Sequence, residues 1–171
     1  MENPYMNPDM VCPCGDGYVN IRVGALIIKD GKLLLAGNPS VDYLYTVGGR
    51  IKFGESAEEA VVREVFEETG VRMEPDRLAF IQECYFICDC GPKTGKPIYE
   101  LGFYYFMKTP ADFEPAGMSF TEDGAQENLQ WVSPDDPYPF YPEFCRTELV
   151  RDGRYVVPEV RTVKHFFSDD R

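Results

Sequence analysis

The sequence predicts an α+β domain in which a mixed sheet carries one long, well-capped helix. Extended runs rich in Ile, Val, Phe and Tyr recur between residues 20 and 133, and such residues fit a pleated, half-buried surface. One segment, residues 57–69, has helical periodicity with start and stop signals at its ends. The chain is 171 residues long and 44% hydrophobic, with no repeat, low-complexity tract or linker. That length suits a single domain with a sizeable core.

In order along the chain, residues 1–18 read as an irregular lead-in and 19–171 as one domain. NIRVGALIIKD (20–30) reads as a strand. Asp30-Gly31 suits a type I′ turn, and KLLLAG (32–37) returns as its hairpin partner. DYLYTVGGRI (42–51) is extended until Gly48-Gly49 interrupts it. Ser56 caps the helix, Glu59 three residues later completes a capping box, and Gly70 closes the far end. RLAFIQECYFIC (77–88) and PIYELGFYYFMK (97–108) are long β-type runs joined by a turn-rich loop, and ENLQWVS (127–133) is a shorter one. After a proline-rich loop, PEFCRTELVRD (142–152) reads as a second helix with Pro142 in its first turn. RYVVPEVRTVKHFF (154–167) reads as a strand or closing segment.

Composition narrows the function. The net charge of −12 argues against nucleic acid as a partner, because phosphate-backbone binding rests on Lys and Arg. It leaves room for a small phosphorylated substrate bridged by a metal ion. No apolar run approaches the roughly 18 residues needed to span a bilayer, and the N-terminus has no secretory pattern. A cytoplasmic, membrane-free protein is expected. Cys12, Cys14, Cys88 and Cys90 form CPCG and CDCG pairs, each with one intervening residue. Structural zinc sites usually space their ligands by two to four, so reduced thiols are preferred and zinc is the alternative.

Chemistry concentrates in REVFEETG, residues 63–70, where Glu64, Glu67 and Glu68 stand at i, i+3 and i+4. Such like charges repel by a few tenths of a kcal/mol per pair. At about 100° per residue, Glu67, Ala60, Glu64, Ala57 and Glu68 share one arc of the helix. Val61, Val65, Val62 and Phe66 fill the next arc, the face expected to pack on the sheet. A solvated face would carry long polar side chains where Ala57 and Ala60 stand. A hard divalent cation explains the stripe, since Mg²⁺ takes carboxylates, waters and substrate phosphates in octahedral geometry.

The spacing around the stripe is more specific. Gly49, Glu55 and then Arg63-Glu64-Val65-Phe66-Glu67-Glu68-Thr69-Gly70-Val71 fit G-x5-E-x7-R-E-U-x-E-E-x-G-U, U being bulky and apolar. Every fixed position of this 23-residue box, residues 49–71, is matched. The sequence resembles the Nudix (MutT-like) hydrolase family over roughly residues 20 to 135. The resemblance implies an α/β/α sandwich with a mixed β-sheet between helices, hydrolysing a nucleoside diphosphate linked to another group. By that analogy Glu64, Glu67 and Glu68, with a backbone carbonyl at Gly48 or Gly49, hold Mg²⁺ or Mn²⁺. Arg63 orients the glutamates and Glu55 supports the loop or a second metal through water. Glu67 is the first choice of general base and Glu64 the second, with Glu127 or Glu100 as candidate carboxylates outside the box. Many relatives have proline where Val47 stands, a change that removes no ligand.

Such a reaction needs charge neutralisation on phosphate, an aligned water and a carboxylate to take its proton. On the substrate side, Tyr43, Tyr45, Tyr85, Phe86, Tyr104, Tyr105 and Trp131 include candidates for base stacking. Tyr43 and Tyr45 are the best placed, just before the box. His165, the only histidine, receives no role. The leading reading is a pyrophosphohydrolase acting on a nucleoside triphosphate or nucleotide sugar. The alternative is a non-catalytic nucleotide sensor on the same fold; RNA 5′-end processing is disfavoured by charge. The resemblance also allows a homodimer.

Overall fold

The computed structural model describes residues 8–89, 91–115, 119–120, 126–159 and 161–171, with backbone only at 119–120. The first half runs β1 (Val11–Cys14), β2 (Gly17–Leu26), β3 (Ile28–Lys29), β4 (Lys32–Gly37), β5 (Leu44–Thr46) and α1 (Ala57–Thr69). Next come β6 (Pro75–Ile87), β7 (Pro97–Met107), β8 (Ser119–Phe120), β9 (Gln126–Val132) and β10 (Phe140–Tyr141). The chain closes with α2 (Phe144–Leu149), β11 (Val150–Arg151), β12 (Arg154–Tyr155) and β13 (Lys164–Asp170).

Among the described residues the strands form two mixed sheets and a small ribbon. One sheet has the order β1-β2-β7-β6-β13, with β2–β7 and β6–β13 parallel and the other two pairs antiparallel. The other runs β10-β5-β4-β9-β8, with β3 folded onto β4. The architecture is α+β, as the alternating extended runs and single strong helix predict. Asp30 and Gly31 both take positive φ, 51° and 79°, as a type I′ hairpin requires.

Two apolar clusters flank the first sheet. Val23, Ala25 and Tyr105 point to the side where Val61 and Val65 of α1 pack. Leu26, Tyr104 and Phe106 point to the other side, against Phe144 and Leu149 of α2. Period-two alternation along β2 and β7 thus feeds a core on each face.

The helix α1 spans the predicted residues, and both arms of its capping box form: Glu59 N–H donates to Ser56 Oγ and Ser56 N–H to Glu59. Gly70 ends it in the left-handed region. Its orientation departs from the expected face. Val61 and Val65 are buried, but Phe66 is 54% exposed, while Ala60 and Glu68 are buried. The helix is rolled so that part of the acidic arc turns inward, placing Glu68 between the helix and the loop before it.

Three further expectations need correction. Residues 11–14, within the stretch read as irregular, form a strand that hairpins onto β2. The second helix is only six residues, beginning after Pro142 rather than including it. The tail divides between β12 and β13, and β13 continues past residue 167 to Asp170, parallel to β6.

Candidate active site

The site grows from the loop that joins β5 to α1. The N–H of Val23 donates to the carbonyl of Gly49, and that of Ala25 to the carbonyl of Val47. This loop therefore extends the edge of β2 in front of the helix. Gly48 has φ 144°, and a Cβ there would stand 2.2 Å from the Val23 carbonyl oxygen. A Cβ on Gly49 would stand 2.6 Å from Glu64 Oε1. Both glycines bring the backbone within reach of carboxylates from α1.

Arg63 organises the acidic residues. Its Nε donates to Glu55 Oε2 at 3.1 Å and its second amino nitrogen to Glu55 Oε1 at 2.6 Å, a bidentate pair. The first amino nitrogen donates to Glu64 Oε1 at 2.6 Å and Glu67 Oε2 at 3.1 Å, and the second also reaches the Arg50 carbonyl at 3.0 Å. Glu55 also accepts the Lys52 N–H at 2.7 Å, tying the loop to the helix. These contacts set two neighbouring carboxyls apart. At Glu55 burial raises the pKa, but the Arg63 hydrogen bonds and the Lys52 amide bring it below its usual value. At Glu64 burial dominates and the pKa is raised despite Arg63.

Glu68 is only 8% exposed. Its Oε1 accepts the Gly48 N–H at 2.9 Å, while Oε2 has no partner among the described residues. Burial, reinforced by the nearby Glu127 carboxylate, pushes its pKa well up, against the pull of the Gly48 amide. Glu127 is itself buried and accepts the Tyr45 hydroxyl at 2.5 Å. Burial and that bond raise the Tyr45 pKa far above its ordinary value. Tyr45 and Glu127, named from the sequence, therefore meet Glu68 in three dimensions. Tyr43 stands one ring away, edge-on to Tyr45 at 6.4 Å and to Tyr141 at 5.1 Å.

As placed, no three His, Cys, Asp or Glu side chains among the described residues converge on one metal-holding point. In α1 the reason is visible: Arg63 draws Glu64 and Glu67 to itself while Glu68 turns to Gly48. A buried carboxylate oxygen without a partner is costly, and here it adjoins other carboxylates beside a glycine loop. That donor set suits a hard cation. Among the described residues the cysteines do not form such a set. Cys12 and Cys14 lie exposed on β1, Cys88 follows the end of β6, and Cys90 lies outside the described residues.

Arg22 was not singled out by motif. It projects from β2 on the same face as Asn20, 3.9 Å from Glu100 Oε1, and Glu100 also accepts from Asn20 at 2.6 Å. Its Nε is buried without a partner among the described residues. Burial opposes its charge, but Glu100, Tyr104, Glu68 and Glu64 more than offset that and raise its pKa. It is a cation within electrostatic reach of Glu64 and Glu68, with a donor that has no partner among the described residues. The polar alternation of Asn20 and Arg22 within an apolar strand was the available signal. Glu100, a candidate base from sequence, is engaged with this pair. Of the other aromatic candidates, Tyr104 is buried with its hydroxyl on Gln82, Tyr85 packs on Tyr99, and Trp131 packs on Phe113.

The NUDIX domain model matches residues 19–152, and the chain belongs to the NUDIX family. A NAD-capped RNA hydrolase, NudC, from Mannheimia succiniciproducens is 32% identical over 140 residues, which are 81% of this chain and 46% of that protein. An ADP-ribose pyrophosphatase from Methanocaldococcus jannaschii is 44% identical over 54 residues, which are 30% of this chain and 32% of that protein. The chain thus spans less than half the length of either relative. Among solved structures, a mutator MutT protein from Bacillus halodurans superposes with a TM-score of 0.59 at 20% identity, covering 80% of this chain and 85% of that one. An ADP-ribose pyrophosphatase from Streptococcus suis gives 0.52 at 18% identity, covering 85% and 98%. At those identities the likeness carries the fold alone. Among the described residues no helix is long and apolar enough to cross a membrane.

Proposed function

We propose that this chain is a divalent-metal-dependent pyrophosphohydrolase that cleaves the phosphoanhydride of a nucleoside diphosphate linked to another group. The observation that carries this reading is Glu68: buried, held on one oxygen by the Gly48 amide, and without a partner on the other among the described residues. Glu64, Glu67 and Glu68, with the Gly49 carbonyl, would hold Mg²⁺ or Mn²⁺. A cation there would neutralise phosphate oxygens and lower the pKa of an attacking water.

The chain's own groups do the rest. Arg63 fixes Glu64 and Glu67 and is itself locked by Glu55 and the Arg50 carbonyl. Glu67, the most exposed of the three carboxylates, takes the proton of the attacking water at the oxygen away from Arg63. Arg22 donates to a substrate phosphate from β2, and Tyr45 and Glu127 stand beside Glu68. Both curated relatives are named for substrates that contain adenosine diphosphate joined to a ribose, which supports a nucleotide sugar or dinucleotide over a triphosphate. The acidic charge favours a small substrate over capped RNA.

The test is a hydrolysis screen with Mg²⁺ and with Mn²⁺ over ADP-ribose, other nucleotide sugars, NADH, nucleoside triphosphates and NAD-capped RNA, with wild type beside Glu67→Gln. A hit reduced by about 10²–10⁴-fold in the mutant, the usual weight of a general base, is the expected result. Turnover near wild type in Glu67→Gln would refute the base assignment. Silence over the whole panel with both metals would favour the sensor. For whichever substrate is cleaved, Arg22→Gln is expected to raise KM about 10- to 100-fold with most of kcat retained, as for loss of one charge-assisted hydrogen bond. Unchanged KM would remove Arg22 from the substrate side.

A further inference from the structure

The strand β13 lies beyond the residues that match the family and at the open edge of its sheet. Its only strand neighbour among the described residues is β6. It reads Lys164-His165-Phe166-Phe167-Ser168-Asp169-Asp170, basic at the start and acidic at the end. Charges on an edge strand commonly deter pairing, but this order is complementary to itself when reversed. With Phe167 opposite the same residue of a second copy, Lys164 faces Asp170, His165 faces Asp169, and Phe166 faces Ser168.

Other registers lose this match. Centring on Phe166 sets Lys164 against Ser168 and Val163 against Asp169. Centring on Ser168 sets Phe166 against Asp170 and His165 against Arg171. A centre between two residues is excluded, because opposed residues of an antiparallel ladder share the same hydrogen-bonding status. One two-fold register alone faces both basic residues with both acidic ones.

The aromatic face favours the same axis. Phe167 is 63% exposed, and its ring lies 6.1 Å from Tyr85, which lies 4.8 Å from Tyr99. This row crosses β13, β6 and β7 and ends at Phe167. Directly opposed side chains on antiparallel strands stand about 4.5–5.5 Å apart at Cβ, so a second copy would continue the row with its own three rings. Intrachain partners hold the charges along the strand: Lys164 on Glu148, His165 on Glu83 at 2.6 Å, and Asp169 on Arg171. All three side chains remain substantially exposed.

We propose that β13 pairs antiparallel with β13 of a second copy about a two-fold axis at Phe167, joining two five-stranded sheets into one. Such an isologous contact closes on itself and makes a dimer rather than a filament. It is separate from the catalytic reading, and hydrolysis is not its readout.

Light scattering on the eluting full chain at tens of micromolar should give the mass of two 19.5 kDa chains. Lys164→Asp and Asp170→Lys each set two like-charge pairs across the axis, and each should weaken dimerisation about 10- to 100-fold. The double exchange K164D/D170K should restore the dimer. Phe167→Cys offers a test that needs no charge change: mild oxidation should cross-link two chains through the self-opposed position, above any wild-type background, whereas His165→Cys should not. A monomeric wild type, a dimer indifferent to the single reversals, or no cross-link specific to position 167 would each overturn the proposal.

Discussion

Glu68→Gln is expected to lower turnover by about 10³-fold, the rate equivalent of roughly 4 kcal/mol of lost charge stabilisation, while stabilising the metal-free protein. The two effects have one cause. Glu68 is buried beside Glu127 and Glu64 with one oxygen unpartnered among the described residues, an arrangement that costs stability without a cation. Glutamine keeps an oxygen for the Gly48 amide and replaces the charge with an amide that can donate to Glu127. Relief of one unsatisfied buried group is worth about 1–3 kcal/mol, or several degrees in Tm for a domain of this size.

The pH dependence follows from the direction of the Glu68 shift. Its folded-state pKa lies well above the ordinary carboxylate value, so the folded state binds the proton more tightly than the unfolded one. Stability is then greatest below the unfolded pKa and falls as pH rises from there towards the folded value. Glu64, also raised, adds to the same slope. In EDTA, thermal melts from acid to neutral pH should show the advantage of Glu68→Gln growing with pH. An advantage that is flat or shrinks with pH would contradict the buried, charge-strained carboxylate.

Arg63→Ala is expected to cost about 3 kcal/mol of stability, because it leaves partly buried carboxylates without their counter-ion, and about 10²-fold in turnover through misplaced ligands. Arg63 holds Glu55, Glu64, Glu67 and the Arg50 carbonyl at once. The fork geometry is essential to that, so Arg63→Lys, a point charge on a flexible stem, should recover little. Mg²⁺ should return part of the lost stability, since a ligand at 100 times its Kd contributes about 2.7 kcal/mol. Denaturant unfolding with and without Mg²⁺ checks both figures. Full recovery in the lysine variant would show that charge alone, not geometry, is needed.

What was legible in the sequence was local. The capping box from Ser56 to Glu59, the Gly70 end and the Asp30-Gly31 turn are each set by neighbours within a few residues, and each lies where spacing placed it. Nothing in the sequence joins Tyr45 to Glu127; β5 and β9 flank β4, and that topology brings them together beside Glu68. The roll of α1 is hidden in the sequence because a hydrophobicity arc treats Phe66 as a core residue. The glycine loop and the packing of Val61 and Val65 decide instead that Phe66 faces solvent and Glu68 faces in. The polar alternation of Asn20 and Arg22 marks the position, but its meaning depends on carboxylates more than forty residues away, which the sequence does not bring together. The parallel docking of β13 on β6 is a long-range pairing that the sequence does not announce, whereas the β1 hairpin is local and is disguised by Pro13 and Gly15, which read as loop.

The most direct measurement is a Mn²⁺ titration of the full chain followed by electron paramagnetic resonance of the free ion, wild type against Glu68→Gln. The account predicts saturable binding by wild type and an affinity at least about tenfold weaker in the variant, the equivalent of 1.4 kcal/mol. A wild type that leaves the Mn²⁺ signal untouched, or a variant that binds as tightly, would contradict the reading of the acidic helix as an ion site.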